Sequence, residues 1–243
     1  MATRAQFLDR IRREVGKTPG LFAARPAERP AHPEAAAEAV RRQMAERWPE
    51  ALERFKDEFE RVAGVFHRAR SLAEVPAVIA EVAQAKGATR LLTWDAAVLG
   101  LDPRTTLGAG GLSVTVATAG HADEAARRRH REDAVEAQIG VTGADLVLAE
   151  TGSLILLSGD GRPRSTSLLP DTHIAVFDRS RLVESLEQVG IWLEALHVDP
   201  ARSMSGAMIT VITGPSRTAD IELTLTRGVH GPKDVHAIFV ERP

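Results

Sequence analysis

Four short segments carry residues that can do chemistry. The first is Ala149-Glu-Thr-Gly-Ser153, where a carboxylate, hydroxyls and a glycine lie between two apolar runs of the stretch Ala144–Ser158. A glutamate at a strand end can act as a general base, or as a nucleophile that forms an acyl adduct. The spacing around Glu150 does not choose between them. The second is Thr213-Gly-Pro-Ser-Arg-Thr-Ala-Asp220. Gly214 lets the backbone approach a ligand, Ser216 and Thr218 offer hydroxyls, and Arg217 offers a planar cationic fork. Such a loop suits a carboxylate or phosphate, although Asp220 can instead pair with Arg217 and lock it. In the third, Gly228-Val-His-Gly-Pro232, glycines bracket His230, which can serve as acid, base or hydrogen-bond donor. The fourth is Arg162-Pro-Arg-Ser-Thr-Ser167, in which Arg164 can supply a second anion contact. Each has a plainer reading: a polar hairpin tip, a locked loop, a structural histidine, a surface loop.

Other chemistry finds little support. Gly108-Ala-Gly-Gly111 lacks the lysine of a P-loop and the strand–GxGxxG–helix order of a dinucleotide site. The histidines show no metal-ligand spacing, and no Gly-x-Ser-x-Gly elbow surrounds the serines. The chain has no cysteine, which excludes disulfides, thiol nucleophiles and Cys-ligated iron–sulfur or zinc centres within it. A net charge of −2 gives no pull toward nucleic acid or anionic lipid. The start of the chain has no apolar h-region and no run approaches a membrane span, so a cytoplasmic protein is expected.

The length, 243 residues, suits one α/β domain with an added arm. Apolar residues make up 44% but aromatics only 4%, with no tyrosine, so the core must be largely aliphatic. Phe7, Leu8, Ile11 and Val15 lie at helical spacing. A proline-rich link leads to a second helix from Pro33, whose apolar face is Val40, Met44, Trp48, Leu52, Phe55 and Phe59. Pro49 should kink or split it. From about Val62 strands and helices alternate. Strands are expected at 62–67, 89–94, 112–118, 173–177 and 207–213, and helices at 72–86, 123–138 and 181–196. Gly87 should end the first of these helices, Asp95 should cap a short one, and Glu124 should pair with Arg128. The pattern implies a largely parallel sheet covered on both faces. The Glu150 segment should lie at an end of that sheet. Close-spaced strands near 144–158 and 221–240 should add an antiparallel part, and the Gly214–Asp220 loop should fall at strand carboxyl ends, where such sheets bind ligands.

Taken in order, Ala149-Glu-Thr-Gly-Ser153, Arg164 to Pro170, Gly214 to Glu222 and Gly228 to Pro232 resemble the LUD domain family, from about residue 62 to the C-terminus. The resemblance implies a three-layer α/β/α sandwich with a mixed, mostly parallel sheet, like the NagB/RpiA/CoA-transferase group. The arm would be residues 1–60 and the α/β domain 61–243. It also implies a role in oxidising L-lactate to pyruvate beside two partner proteins that carry iron–sulfur clusters. Glu150, Thr151, Gly152, Arg217, Thr218, Asp220, His230 and Gly231 lie in the family's signature segments. Glu150 also resembles the Glu-Asn-Gly nucleophile of CoA transferases, with Thr151 in place of the asparagine. With no cysteine and no flavin or nicotinamide fingerprint, a non-redox component is expected, its electrons passing through the partners. Arg217 would hold a small carboxylate or related anion, with Glu150 and His230 handling protons. A stand-alone acyl- or phosphoryl-transferring enzyme using Glu150, or a docking subunit that associates or self-associates through the helical arm, are the other readings.

Overall fold

The computed structural model describes residues 3–16, 30–117, 124–159, 161–198, 208–219 and 225–242. In chain order the helices are α1 (Arg4–Gly16), α2 (Pro33–Arg61), α3 (Val75–Lys86), α4 (Ala96–Leu99), α5 (Pro103–Gly108), α6 (Glu124–Glu136), α7 (Ser165–Leu168) and α8 (Leu186–Val198). The strands are β1 (Val65–Ser71), β2 (Arg90–Thr93), β3 (Ser113–Val116), β4 (Ile139–Gly143), β5 (Leu146–Leu148), β6 (Ser153–Leu157), β7 (Thr172–Asp178), β8 (Leu182–Val183), β9 (Ile209–Ile212), β10 (Arg217–Ala219), β11 (Leu225–Arg227) and β12 (Asp234–Arg242). Six strands form an all-parallel sheet in the order β1-β12-β7-β4-β2-β3. Helices flank both faces, as the α/β/α expectation requires. Its central strands are buried along almost their whole length on both faces, as a sheet covered on both sides demands.

The alternation of side chains across the sheet assigns its faces. Phe177 and Phe239 point to the side that α2 covers; Trp48 stacks on Phe239, and Phe55 meets Phe177 and Phe59. His67 and His236 point to the other side, where Lys86 at the end of α3 reaches Asp234. α2 is one continuous helix: Pro49 lies within it and does not split it. Its second half buries Leu52, Phe55 and Phe59 in the core, and the helix ends at Arg61.

Several other expectations change. β12 lies inside the parallel sheet between β1 and β7, not in an antiparallel extension; the antiparallel pair there is β10–β11. β5 and β6 do form the antiparallel hairpin, but they belong to a second sheet, β8-β5-β6-β9, and not to the central one. The first strand begins at Val65 because Val62 and Ala63 close the end of α2. The last long helix begins at Leu186, since a 3-10 turn at Arg179–Arg181 and β8 occupy the residues before it. Glu124 pairs with Arg131, and Arg128 with Glu132. Gly87 and Asp95 do cap α3 and α4. Among the described residues no helix is long and apolar enough to cross a membrane.

The sheet carries its histidines in neutral form. His236 is pushed down to about 4 and His173 to about 3, in both cases chiefly by burial. The unfolded chain titrates them near the ordinary value, so between that value and the folded ones it binds more protons than the fold does. Stability should therefore be flat through these groups above about pH 6.5 and fall below it. The unfolding free energy from urea titrations should drop between pH 7.5 and pH 5.0, by about 1–2 kcal/mol per histidine. His236→Gln should reduce that slope.

Candidate functional site

The signature segments converge on the C-terminal end of α2. Gly152 is left-handed, with φ +60°, and a Cβ there would stand 2.5 Å from the Glu58 carbonyl carbon. Gly214, with φ +79°, approaches from the other side, its would-be Cβ 2.6 Å from the Val62 oxygen. Arg217 Nη2 donates to that same Val62 oxygen at 2.7 Å. Helix ends leave carbonyls unsatisfied and carry partial negative charge, so a guanidinium there satisfies both. A hydroxyl chain ties the two segments together: Thr151 Oγ1 to Ser153 Oγ at 2.7 Å, and Ser153 Oγ to Thr213 Oγ1 at 2.7 Å. Ser216 then holds the third segment. Its N–H donates to the Pro232 oxygen, and its Oγ accepts from the His230 N–H at 3.2 Å. Gly231 packs beside Ser216 and Leu168.

The expected site is therefore only partly assembled. Gly152, Gly214, Ser216, Arg217 and Gly231 meet around one helix end, where Arg217 donates to a backbone oxygen. The Glu150 carboxylate lies elsewhere, accepting the Leu186 N–H at 2.9 Å at the start of α8. The His230 side chain is exposed, and among the described residues no hydrogen bond links it to Glu150 or Arg217. Arg164 is exposed and precedes α7. Thr218 lies in β10, and Asp220 falls outside the described residues. The Gly214 loop follows β9 of the second sheet, not a carboxyl end of the parallel one.

The carboxyl ends of the parallel strands hold a different constellation. The chain runs from β2 to β3 in one direction and from β4 to β7 in the other, so the topological switch point lies between β2 and β4. Beside it two short links, Ala144-Asp145 and Arg179-Ser-Arg181, carry the chain from β4 and β7 into β5 and β8 of the second sheet. Between these links lies a chamber of about 140 Å³ lined by Trp94, Gly143, Asp145, Arg162, Asp178 and Arg181. Asp145 is buried. Its Oδ2 accepts the Leu157 N–H at 2.7 Å, and its Oδ1 takes Arg162 Nη1 at 2.7 Å. The Arg162 guanidinium lies 5.8 Å from the centroid of the Trp94 ring. Asp178 Oδ1 accepts from the Ser180 N–H, which fixes the turn before Arg181. Among the described residues Arg181 makes no ion pair.

A larger cavity, about 490 Å³, adjoins this chamber, and Asp145 and Arg181 line both. Its walls come from α2, α8, β8 and the Arg179–Arg181 turn. Sequence reasoning did not single out Asp145, Asp178, Arg179 or Arg181. The available signal was position: Asp178 ends a buried strand and Asp145, Arg179 and Arg181 lie within three residues beyond one, where a parallel sheet presents its ligand-binding end. No group of three or more His, Asp or Glu side chains able to hold a metal occurs among the described residues.

A sequence model of the LUD domain matches residues 52–240. Lactate utilization protein C of Halalkalibacterium halodurans is 46% identical over 111 residues, 45% of this chain and 47% of that one. The protein of the same name from Geobacillus sp. is 38% identical over 122 residues, 49% and 48% of the two chains. The match thus spans about half the length of these curated relatives. A crystal structure of a DUF162 family protein from Deinococcus radiodurans has the same fold, with a TM-score of 0.52 over 79% of this chain and 98% of that one, at 21% identity.

Proposed function

The chain belongs to the LUD domain family, and from that premise we propose that it is a cytoplasmic, non-redox component of a lactate-utilisation system. It holds a small hydroxy acid in the chamber between the β4–β5 and β7–β8 links. The names of its relatives support the pathway, and the lack of any cysteine supports leaving electron transfer to iron–sulfur partner proteins. One observation carries the site: Arg181, a guanidinium with no ion-pair partner among the described residues, and the Asp178 carboxylate line one small chamber at the strand ends. Its volume, about 140 Å³, is well below that of sites that enclose a drug-sized molecule and suits a small acid. Arg181 would take the carboxylate through charge-assisted hydrogen bonds. Asp178 would accept the proton of the 2-hydroxyl, a contact that a keto acid cannot make. Arg217, engaged at Val62, is not the anion ligand in this reading, and Glu150, whose carboxylate accepts the Leu186 N–H, and His230 lie outside the chamber.

Calorimetry with L-lactate and pyruvate checks the proposal. Wild-type protein should bind L-lactate, and Arg181→Gln should weaken it about tenfold or more. Asp178→Asn keeps an acceptor for Ser180 but removes the charge, and should reduce lactate binding more than pyruvate binding. No lactate binding by the wild type, or unchanged binding in Arg181→Gln, would remove this site. Unimpaired lactate oxidation by the reconstituted partners without this chain would remove the function.

A further inference from the structure

The larger cavity has a composition that the lactate reading does not use. A ligand of three carbons leaves most of its 490 Å³ empty, yet that volume lies within the range of sites that enclose a whole small molecule. Apolar surface comes from Val40, Met44 and Trp48 on α2 and from Trp192 on α8. The chain has 3 tryptophans and no tyrosine; Trp48 and Trp192 line this cavity, and Trp94 lines the adjoining chamber. Indole rings at a concave surface offer a broad apolar face to a planar group.

Charge supplies the second half of the argument. Three arginines line the cavity, Arg41, Arg179 and Arg181. Arg41 is neutralised by Glu38 at 2.9 Å. The single carboxylate in the wall, Asp145, is taken by Arg162. Glu184, beside the cavity in sequence, is taken by Arg47. That leaves Arg179 and Arg181 as cations with no ion-pair partner among the described residues, on one turn fixed by Asp178. Gln188 adds an amide, whose oxygen already accepts from the Glu184 N–H.

We propose that this cavity is a second binding site, for an organic anion with a planar apolar ring. Its ring lies against Trp48 and Trp192 and its carboxylate or other anionic group meets Arg179. The inference does not depend on the lactate site, because Arg179, Trp48 and Trp192 line only the larger cavity.

Calorimetric titration of the full chain with 2-naphthoate, with its neutral alcohol 2-naphthalenemethanol, and with non-planar cyclohexanecarboxylate tests it. The naphthoate should bind at one site, and each comparison compound should bind about tenfold more weakly or worse. Arg179→Gln should reduce naphthoate affinity about tenfold while leaving the alcohol unchanged. Trp192→Leu should weaken naphthoate and alcohol alike, and circular dichroism checks that both variants are folded. Absence of naphthoate binding, equal binding of acid and alcohol, or an unchanged affinity in Arg179→Gln overturns the proposal. L-lactate binding in Arg179→Gln reports separately on the smaller chamber, so loss of one reading does not decide the other.

Discussion

Gly140→Ala is expected to yield little or no folded protein. Gly140 lies in β4, at the centre of the parallel sheet, and α7 crosses directly over it. A Cβ at this position would overlap the Thr166 carbonyl oxygen and stand 2.9 Å from its carbon and 3.2 Å from Pro170 Cγ. The obstacle is backbone, so no rotamer change relieves it. Either α7 lifts from the sheet or β4 shifts against its neighbours β2 and β7. Overpacking of this kind costs more than about 3 kcal/mol, a large part of a domain's whole stability. Soluble yield and urea denaturation measure it. Gly190→Ala, in exposed helix with nothing within 4 Å, is the control and should gain about 0.5–1 kcal/mol from helix propensity.

Gly152→Ala should be the next most damaging change, for two separable reasons. The residue needs φ +60°, which costs an alanine about 1–2 kcal/mol. Its Cβ would also meet the Glu58–Phe59 backbone at the end of α2, adding about 1–3 kcal/mol. Gly87→Ala separates these contributions, because Gly87 has φ +61° but nothing within 4 Å. Urea midpoints should show a modest loss for Gly87→Ala and a loss about two to three times larger for Gly152→Ala. Equal losses would mean that contact with α2 contributes nothing.

The alternation of strands and helices was legible because buried parallel strands are short apolar runs and the helices keep a 3.6-residue stripe. Which sheet a strand joins was not. Ala144–Leu148 reads as one apolar run, yet the chain leaves the parallel sheet at Gly143 and enters the second sheet at Leu146. Nothing local marks that change, since both environments are buried. The same limit hid Asp145, a lone carboxylate within an apolar run, whose partner Arg162 lies 17 residues away. The signature glycines were recognised, but whether a glycine admits a ligand or another piece of backbone depends on what lies opposite. Opposite Gly152 and Gly214 lies α2, itself far away in sequence. Pro49 does not split α2, because the burial of Met44, Leu52 and Phe55 on the turns either side holds the helix together across the proline.

The clasp around the end of α2 bears on how genetic results in this family should be understood. α2 contributes one wall of the larger cavity, and its last turn is gripped by the signature segments. A lesion in those segments loosens a helix and so lowers the amount of folded protein in the cell, where a loss of 1–2 kcal/mol changes abundance several-fold. A null phenotype from Gly152 or Arg217 would then be a dosage effect, rescued by overexpression or lower growth temperature. Arg181→Gln, or Asp178→Asn, which keeps an acceptor for Ser180, would leave steady-state protein intact and resist both rescues. Immunoblotting the variants before assaying them sorts scaffold from chemistry.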